Sequence, residues 1–278
     1  MYKFLISGFA DEIDANFDKQ MQHLTALGMK YFEIRGVDGK NVMTLTDEQV
    51  DEVKRKIDKL GISVSSVGSP VGKDSIEEDF DAQLQRFKKI VNTAKKLQTK
   101  YIRIFSYFMK DDRERELYKD EVIKRLTEFV KIAEDENIIL LHENEKDIFG
   151  ESDVYCKYLF DNIKSDNFKA VFDPANFVQC GVETKGAFEL LKDHIEYMHI
   201  KDALRDGTIV PAGEGVGNIA HILKCLKESG YKGFLSLEPH LGEFVGFADL
   251  EGEGGTKMTE SSSADKFTLA FEALNRII

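Results

Sequence analysis

The stretch IILLHEN at 138–144 is an apolar run that carries a carboxylate, Glu143, near its end. The same plan recurs three times toward the C-terminus. KAVFDPAN (169–176) carries Asp173, IEYMHIKD (195–202) carries His199, and GFLSLEP (233–239) carries Glu238. A surface strand has no need of a carboxylate or imidazole at its C-terminal end. A parallel barrel that does its chemistry at one rim does, because strand ends and the loops that follow them converge there.

Outward from these four, KFLISGF (3–9), KYFEIR (30–35), ISVSSVG (62–68) and YIRIFSY (101–107) read as four earlier strands. Amphipathic stretches lie between the strands; residues 14–27 place Phe17, Met21, Leu24 and Leu27 at helical spacing. Thr46–Gln49 and Ser75–Glu78 have the capping-box pattern that opens a helix. Gly28, Gly61 and Gly230 follow helical patterns, where a left-handed residue is wanted. Eight β-then-α units, spaced at roughly 30–40 residues, predict an α/β fold: a single (β/α)8 TIM barrel over 1–278. An open doubly wound sheet would more often carry a glycine-rich phosphate loop after its first strand, and ISGFADEIDANF has no GxGxxG. Two loops, VGSPVGKDS (67–75) and the glycine-rich acidic segment 241–263, would overhang the catalytic rim. For 241–263 the readings are a lid, a subunit contact in a homodimer, or a plain surface excursion.

The net charge of −12 argues against nucleic acid as a partner, because phosphate backbones are bound by basic surfaces. Three cysteines without CxxC spacing read as free thiols in a reducing compartment. The apolar run in MYKFLISGFADE is too short for a secretion signal and reads as the first strand. No stretch approaches the ~20 apolar residues of a membrane helix. The expectation is a cytoplasmic protein with a small-molecule substrate and no membrane or nucleic-acid partner.

In a barrel, strands five to eight are neighbours, so Glu143, Asp173, His199 and Glu238 come within reach of one point. Three carboxylates and one imidazole suit Mn2+, Mg2+ or Co2+ better than a thiolate-type zinc site. Clustered carboxylates repel one another unless a cation or a proton compensates them. The reading is therefore one divalent metal, Mn2+ first and Zn2+ among the alternatives. Lys201 is in phase with His199 and points inward, toward a phosphate or a hydroxyl. Glu33 and Arg35 share one face of the second strand, as substrate contacts or a structural ion pair. Arg103 is divided between a pocket role and a core ion pair. His142 and Asn144 are out of phase and expected to pack behind Glu143, Asp202 is a loop or cap residue, and His240 a neighbour of Glu238. His23, His194 and His221 are read as surface residues on helices.

As a set, HEN (142–144), FDPAN (172–176), HIKDA (199–203), GEG (213–215) and SLEPH (236–240) resemble the xylose isomerase-like TIM-barrel superfamily, in particular its sugar and sugar-phosphate isomerase/epimerase branch. GFADEI, YFEIR and GSPVGK are similar to its N-terminal half. The resemblance covers essentially the whole chain and includes the tagatose and psicose 3-epimerases. It implies that Glu143, Asp173, His199 and Glu238 bind one divalent metal, that Glu143 and Glu238 are the acid/base pair, and that Arg205 contacts the sugar. Those enzymes often carry histidine three residues after the metal-binding aspartate; this chain has Asn176, a candidate substrate contact. The implied reaction is deprotonation and reprotonation next to a carbonyl, through a metal-stabilised enediolate, on a sugar, sugar phosphate or cyclitol. Two alternatives share the scaffold: a 3-dehydroshikimate dehydratase-type lyase, and an endonuclease IV-like hydrolase. The latter's three-metal cluster needs histidines that ISVSSVG and YIRIFSY do not offer.

Overall fold

The structure, a computed structural model, describes residues 3–241 and 263–278. Eight parallel strands form its centre: β1 (Leu5–Gly8), β2 (Tyr31–Ile34), β3 (Ser63–Gly68), β4 (Tyr101–Ile104), β5 (Ile139–Glu143), β6 (Phe168–Phe172), β7 (Ile195–Ile200) and β8 (Phe234–Leu237). Their order is β1-β8-β7-β6-β5-β4-β3-β2, and a parallel bridge between Phe9 and Glu33 joins the two ends of that order. This is a TIM barrel, with strand bounds within one to three residues of the stretches expected from sequence.

Helices α1 (Phe17–Ala26), α2 (Asp47–Leu60), α3 (Phe80–Leu97), α4 (Asp112–Asp135), α5 (Asp153–Asn162), α6 (Pro174–Gln179), α7 (Thr184–Leu191), α8 (Ile219–Glu228) and α9 (Ser263–Asn275) alternate with the strands. The large core lies between sheet and helices, where residues such as Leu24, Val53, Ile90, Phe129, Leu159 and Leu223 are buried. A smaller apolar cluster of Tyr101, Leu141, Val171 and Tyr197 is separate from it, on strands β4 to β7. The alternation explains the division: Leu141 and Tyr197 belong to one strand face, Leu140 and Met198 to the other. Among the described residues no helix is long and apolar enough to cross a membrane. All three cysteines are free, Cys156 buried.

The helix signals divide. Thr46 and Gln49 form the capping box and open α2 as read. Ser75 N donates to the Glu78 side chain at 3.3 Å, but the Ser75 hydroxyl accepts from Glu77 N at 3.2 Å and Glu78 N donates to the Ser75 carbonyl, so these residues close a turn. Helix α3 starts five residues after Ser75, capped by Asp79, whose side chain accepts from Asp81 N. The box pattern reports a local hydrogen-bond pair, which a turn satisfies as well as a helix.

Past β7 the chain makes a short antiparallel ribbon, Asp202–Ala203 against Ile209–Val210. Asp202 organises the loop that follows. Its buried carboxylate accepts from the backbone N–H groups of Gly213 (2.9 Å), Gly215 (3.1 Å) and Gly217 (2.8 Å). Gly215 is there for space, since a Cβ would sit 2.3 Å from Asp202 Oδ1 and 2.4 Å from the Ala203 carbonyl. The GEG motif thus wraps the residue next to Lys201. Asp202→Ala should leave these three glycine donors, and Ala203 N, without their carboxylate acceptor and lower stability by about 2–4 kcal/mol. Urea titration would measure it, and a change within 0.5 kcal/mol, about the size of an ordinary surface substitution, would contradict this account.

Candidate active site

The site sits at the C-terminal ends of β5 to β8. Glu143 is the last residue of β5, Asp173 follows β6, His199 is near the end of β7, and Glu238 follows β8. Each offers one donor atom, and all four atoms lie within 4.8 Å of one another. All four residues are buried. His199 Nδ1 faces the group, 2.8 Å from Glu143 Oε1, 3.4 Å from Glu238 Oε2 and 3.9 Å from Asp173 Oδ2. Four strand-end residues spread over 96 positions of sequence therefore converge as the barrel requires.

Local structure fixes each ligand. Asp173 caps α6, its Oδ1 accepting from Asn176 N at 2.9 Å, with Pro174 at the first turn. Its other oxygen, Oδ2, is buried and accepts no hydrogen bond, although Lys201 Nζ is 3.2 Å away. The side chain of Asn144 grips the Asp173 backbone twice, at 2.9 Å to both its N–H and its carbonyl. Asn176 Nδ2 donates to the Asn144 carbonyl at 2.9 Å and lies 3.4 Å from Glu143 Oε1, so Asn176 steadies the ends of β5 and β6. Arg103 donates to Glu143 Oε2 at 3.1 Å, which makes it a rim residue paired with a candidate catalytic carboxylate.

On the opposite side, Arg35 donates to Asp11, to Glu12 and, at 3.1 Å, to Glu238 Oε1. Lys201 reaches Glu238 Oε2 at 3.1 Å. His240 Nε2 lies 3.3 Å from Glu238 and 3.4 Å from Glu12. Glu33 pairs with His199 instead of Arg35: His199 Nε2 is 3.2 Å from Glu33 Oε2, and Ser236 Oγ donates to the same oxygen. Phe9 is fully buried among these charges. The guanidinium carbons of Arg35 and Arg103 lie 4.2 Å and 5.2 Å from its ring centroid, and the His199 ring meets it edge-on at 5.2 Å.

Arg205 is exposed on the loop after β7. It lines a separate cavity of about 480 Å³ with Val182, Glu183, Thr184 and Asn218. His142 is turned away from the site, bonded to Ser106 and edge-on to Phe160 and Phe168. Of the helical histidines, His221 is exposed, but His23 is half-buried and bonded to Thr268, and His194 stacks on Phe160. Sequence reasoning gave no role to Asp11, Glu12 or Phe9. A signal was present: Asp11 and Glu12 follow the first strand as the ligands follow the later ones. The segment 242–262, with the lid or subunit-contact reading, lies outside the described residues.

Burial and neighbouring charges set the protonation of the cluster. Burial works to lower the pKa of His199, but Glu143, Glu33 and Glu238 raise it well above the ordinary histidine value. An imidazolium proton thus stands among the ligand oxygens. Burial raises the Glu143 pKa, and His199 and Arg103 more than offset it, holding it at about 2. Burial likewise raises that of Glu238, while Lys201, His240 and His199 hold it well below the carboxylate range. Asp173 is pushed up to about 7, by burial first and by Glu238 and Glu143, against Lys201. Burial also raises Glu12, to about 8.

The donor set fits a divalent cation. Three carboxylates and one imidazole converge, and one carboxylate oxygen is buried without a hydrogen bond. Glu143, Asp173, His199 and Glu238 would hold the ion.

Comparisons with known proteins place the chain in a family. The family model described as xylose isomerase-like TIM barrel matches residues 21–257. The chain belongs to that family. A curated relative, the inosose isomerase of Halalkalibacterium halodurans, is 24% identical over 266 residues, covering 91% of this chain and 92% of its own. Two solved structures share the barrel. The IolI protein with a binding zinc atom has a TM-score of 0.77 at 18% identity, covering 98% of this chain and 97% of its own. The D-allulose 3-epimerase from Methylomonas sp. has a TM-score of 0.77 at 15% identity, covering 100% and 99%.

Metal uptake must displace the His199 proton and ionise Asp173, so protons and metal compete. Asp173 titrates near 7, so apparent affinity should fall as pH drops through 7 and rise above it. Binding isotherms for Mn2+ at pH 6, 7 and 8, with proton release followed in weak buffer, would check the sign. A pH-independent affinity would rule out these ligands.

Proposed function

We propose that the protein is a divalent-metal-dependent isomerase or epimerase acting on an uncharged polyhydroxy ketone, a free sugar or an inosose-like cyclitol. One observation carries the reading. Glu143 and Glu238 reach the metal-ligand cluster from β5 and β8, flanking the Asp173 and His199 of β6 and β7. Both are held ionised at neutral pH by neighbouring cations. Isomerase and epimerase relatives spanning nearly the whole chain support it.

A divalent ion bound there would polarise the substrate carbonyl and offset the negative charge that develops when the adjacent carbon loses its proton. The chain's own residues do the rest. One glutamate accepts the carbon-bound proton and, now a carboxylic acid, can return it at the neighbouring carbon, which moves the carbonyl; return from the opposite face, which inverts the centre, requires the other glutamate to take up a proton from solvent first. Arg103 and Arg35 fix the two carboxylates in position. Lys201, between Asp173 and Glu238, is placed to donate to a substrate hydroxyl.

The charge balance favours a neutral substrate over a sugar phosphate. Among the described residues, Arg35, Arg103, Lys73 and Lys201 at this end of the barrel each pair with a carboxylate: Lys73 with Glu145 at 3.4 Å, the others within the site. A phosphate bound by any of these four would have to strip its pair, since Arg and Lys bind it through the same donors.

The test is deuterium wash-in at carbon, followed by NMR, with Mn2+-loaded protein and a panel of ketoses, ketose phosphates and inososes. The wild type should exchange on neutral substrates. Glu238→Gln and Glu143→Gln should keep metal but lose about 10²–10⁴ in exchange rate. Exchange at the wild-type rate in both metal-loaded variants would rule out the two-glutamate mechanism. Turnover without wash-in would indicate a hydride shift, and loss of water from the substrate would indicate the dehydratase.

A further inference from the structure

Glu33 lies behind the candidate metal ligand His199, one layer down the barrel. Its carboxylate is buried, with Oε2 3.2 Å from His199 Nε2 and 2.8 Å from Ser236 Oγ. Its other oxygen, Oε1, is buried and accepts no hydrogen bond. The next groups below are polar but uncharged: Ser65 shares hydrogen bonds with Ser7 at 2.6 Å and with the Tyr197 hydroxyl at 2.8 Å. A half-satisfied buried carboxylate is costly to keep for packing alone, where glutamine or an apolar side chain would serve. The strand is also irregular here, the β2–β3 register shifting between Phe32 and Glu33. Such shifts re-aim a side chain.

We infer that Glu33 is a positioning residue for the metal centre, holding His199 so that Nδ1 presents its lone pair to the ion while Nε2–H donates to the Glu33 carboxylate. This assignment rests on the metal-centre reading above. An imidazole can coordinate through one nitrogen only if the other carries the proton, and a fixed acceptor behind that second nitrogen selects the tautomer and the ring orientation. The carboxylate also makes the ring a better donor, because partial negative charge on the far side strengthens the lone pair. Ser236, paired with His199 across the β7–β8 ladder, keeps the Glu33 oxygen in line. The Phe9 ring, edge-on to His199, limits rotation of the imidazole. Glu33 therefore belongs to the metal site although it is none of the four ligands, and substrate need not touch it.

The experiment measures metal affinity, independent of turnover, on the full chain. Co2+ binding to the wild type, Glu33→Gln and Glu33→Ala would be followed by its visible absorption and by calorimetry. Metal-dependent and metal-free Tm would be recorded alongside. Glu33→Gln is nearly isosteric and keeps a weaker acceptor, so its affinity should fall about 10-fold; Glu33→Ala should fall toward 100-fold. The visible band should shift in both as the imidazole reorients, and the Tm gained on adding metal should shrink. If Glu33→Gln and Glu33→Ala bind Co2+ with wild-type affinity and an unchanged band, the assignment is overturned while the metal site stands. Should Glu33→Ala not fold, Glu33→Gln decides alone. A wild type that takes up no metal overturns the metal-centre reading and this assignment together.

Discussion

Mutual neutralisation of buried charge is the constraint on which the rest of this site depends. Glu143, Asp173 and Glu238 are buried within a few ångströms of one another, with Glu12, Glu33 and Asp11 close behind. Taken singly, each would face a heavy desolvation penalty, and together they repel. Arg35, Arg103, Lys201 and the His199 imidazolium are interleaved among them, so that each carboxylate meets a cation or a proton. Where the cations fall short, protons are retained, as the raised values of Asp173 and Glu12 show. Replacing those protons with a divalent ion is the exchange this arrangement is suited to make.

The barrel makes such interleaving possible at moderate cost. Its strands point alternate side chains inward, so charges arrive in fixed register on a rigid frame instead of on loops. Phe9 is the apolar element at the centre of the arrangement. Its faces and edge take two guanidiniums and an imidazole, whose contacts with a ring are favourable where further carboxylates would not be. Even its space is reserved: a Cβ on Gly68 would come within 2.5 Å of the Phe9 ring. Asp202 performs the matching task outside the lumen, tying three glycine amides into the loop after β7.

Much of this was legible from the chain. The eight alternating units, the Thr46 capping box and the glycines after α1, α2 and α8 depend on local spacing and backbone preference, and local signals survive folding. The four convergent residues were legible because a barrel places strand ends together whatever the loops do. Ser75 shows the limit on the local side: Glu78 accepts from its N–H as the pattern says, but its hydroxyl takes the N–H of Glu77 instead of Glu78, and the pair closes a turn. Arg205 lies exposed beside a cavity, in a loop whose path the sequence does not fix.

The sequence by itself determined the fold class, the strand phases and the identity of the convergent donors, because each follows from periodicity and strand-end position. The tertiary structure alone decided the pairing. Arg35 divides itself among Asp11, Glu12 and Glu238, Arg103 takes Glu143, and Glu33 takes the far nitrogen of His199. Those partners are separated by up to 203 positions, and alternation says only that each side chain points inward. Which buried charge meets which depends on register, side-chain reach and the position of one aromatic ring, and these exist only once the barrel closes.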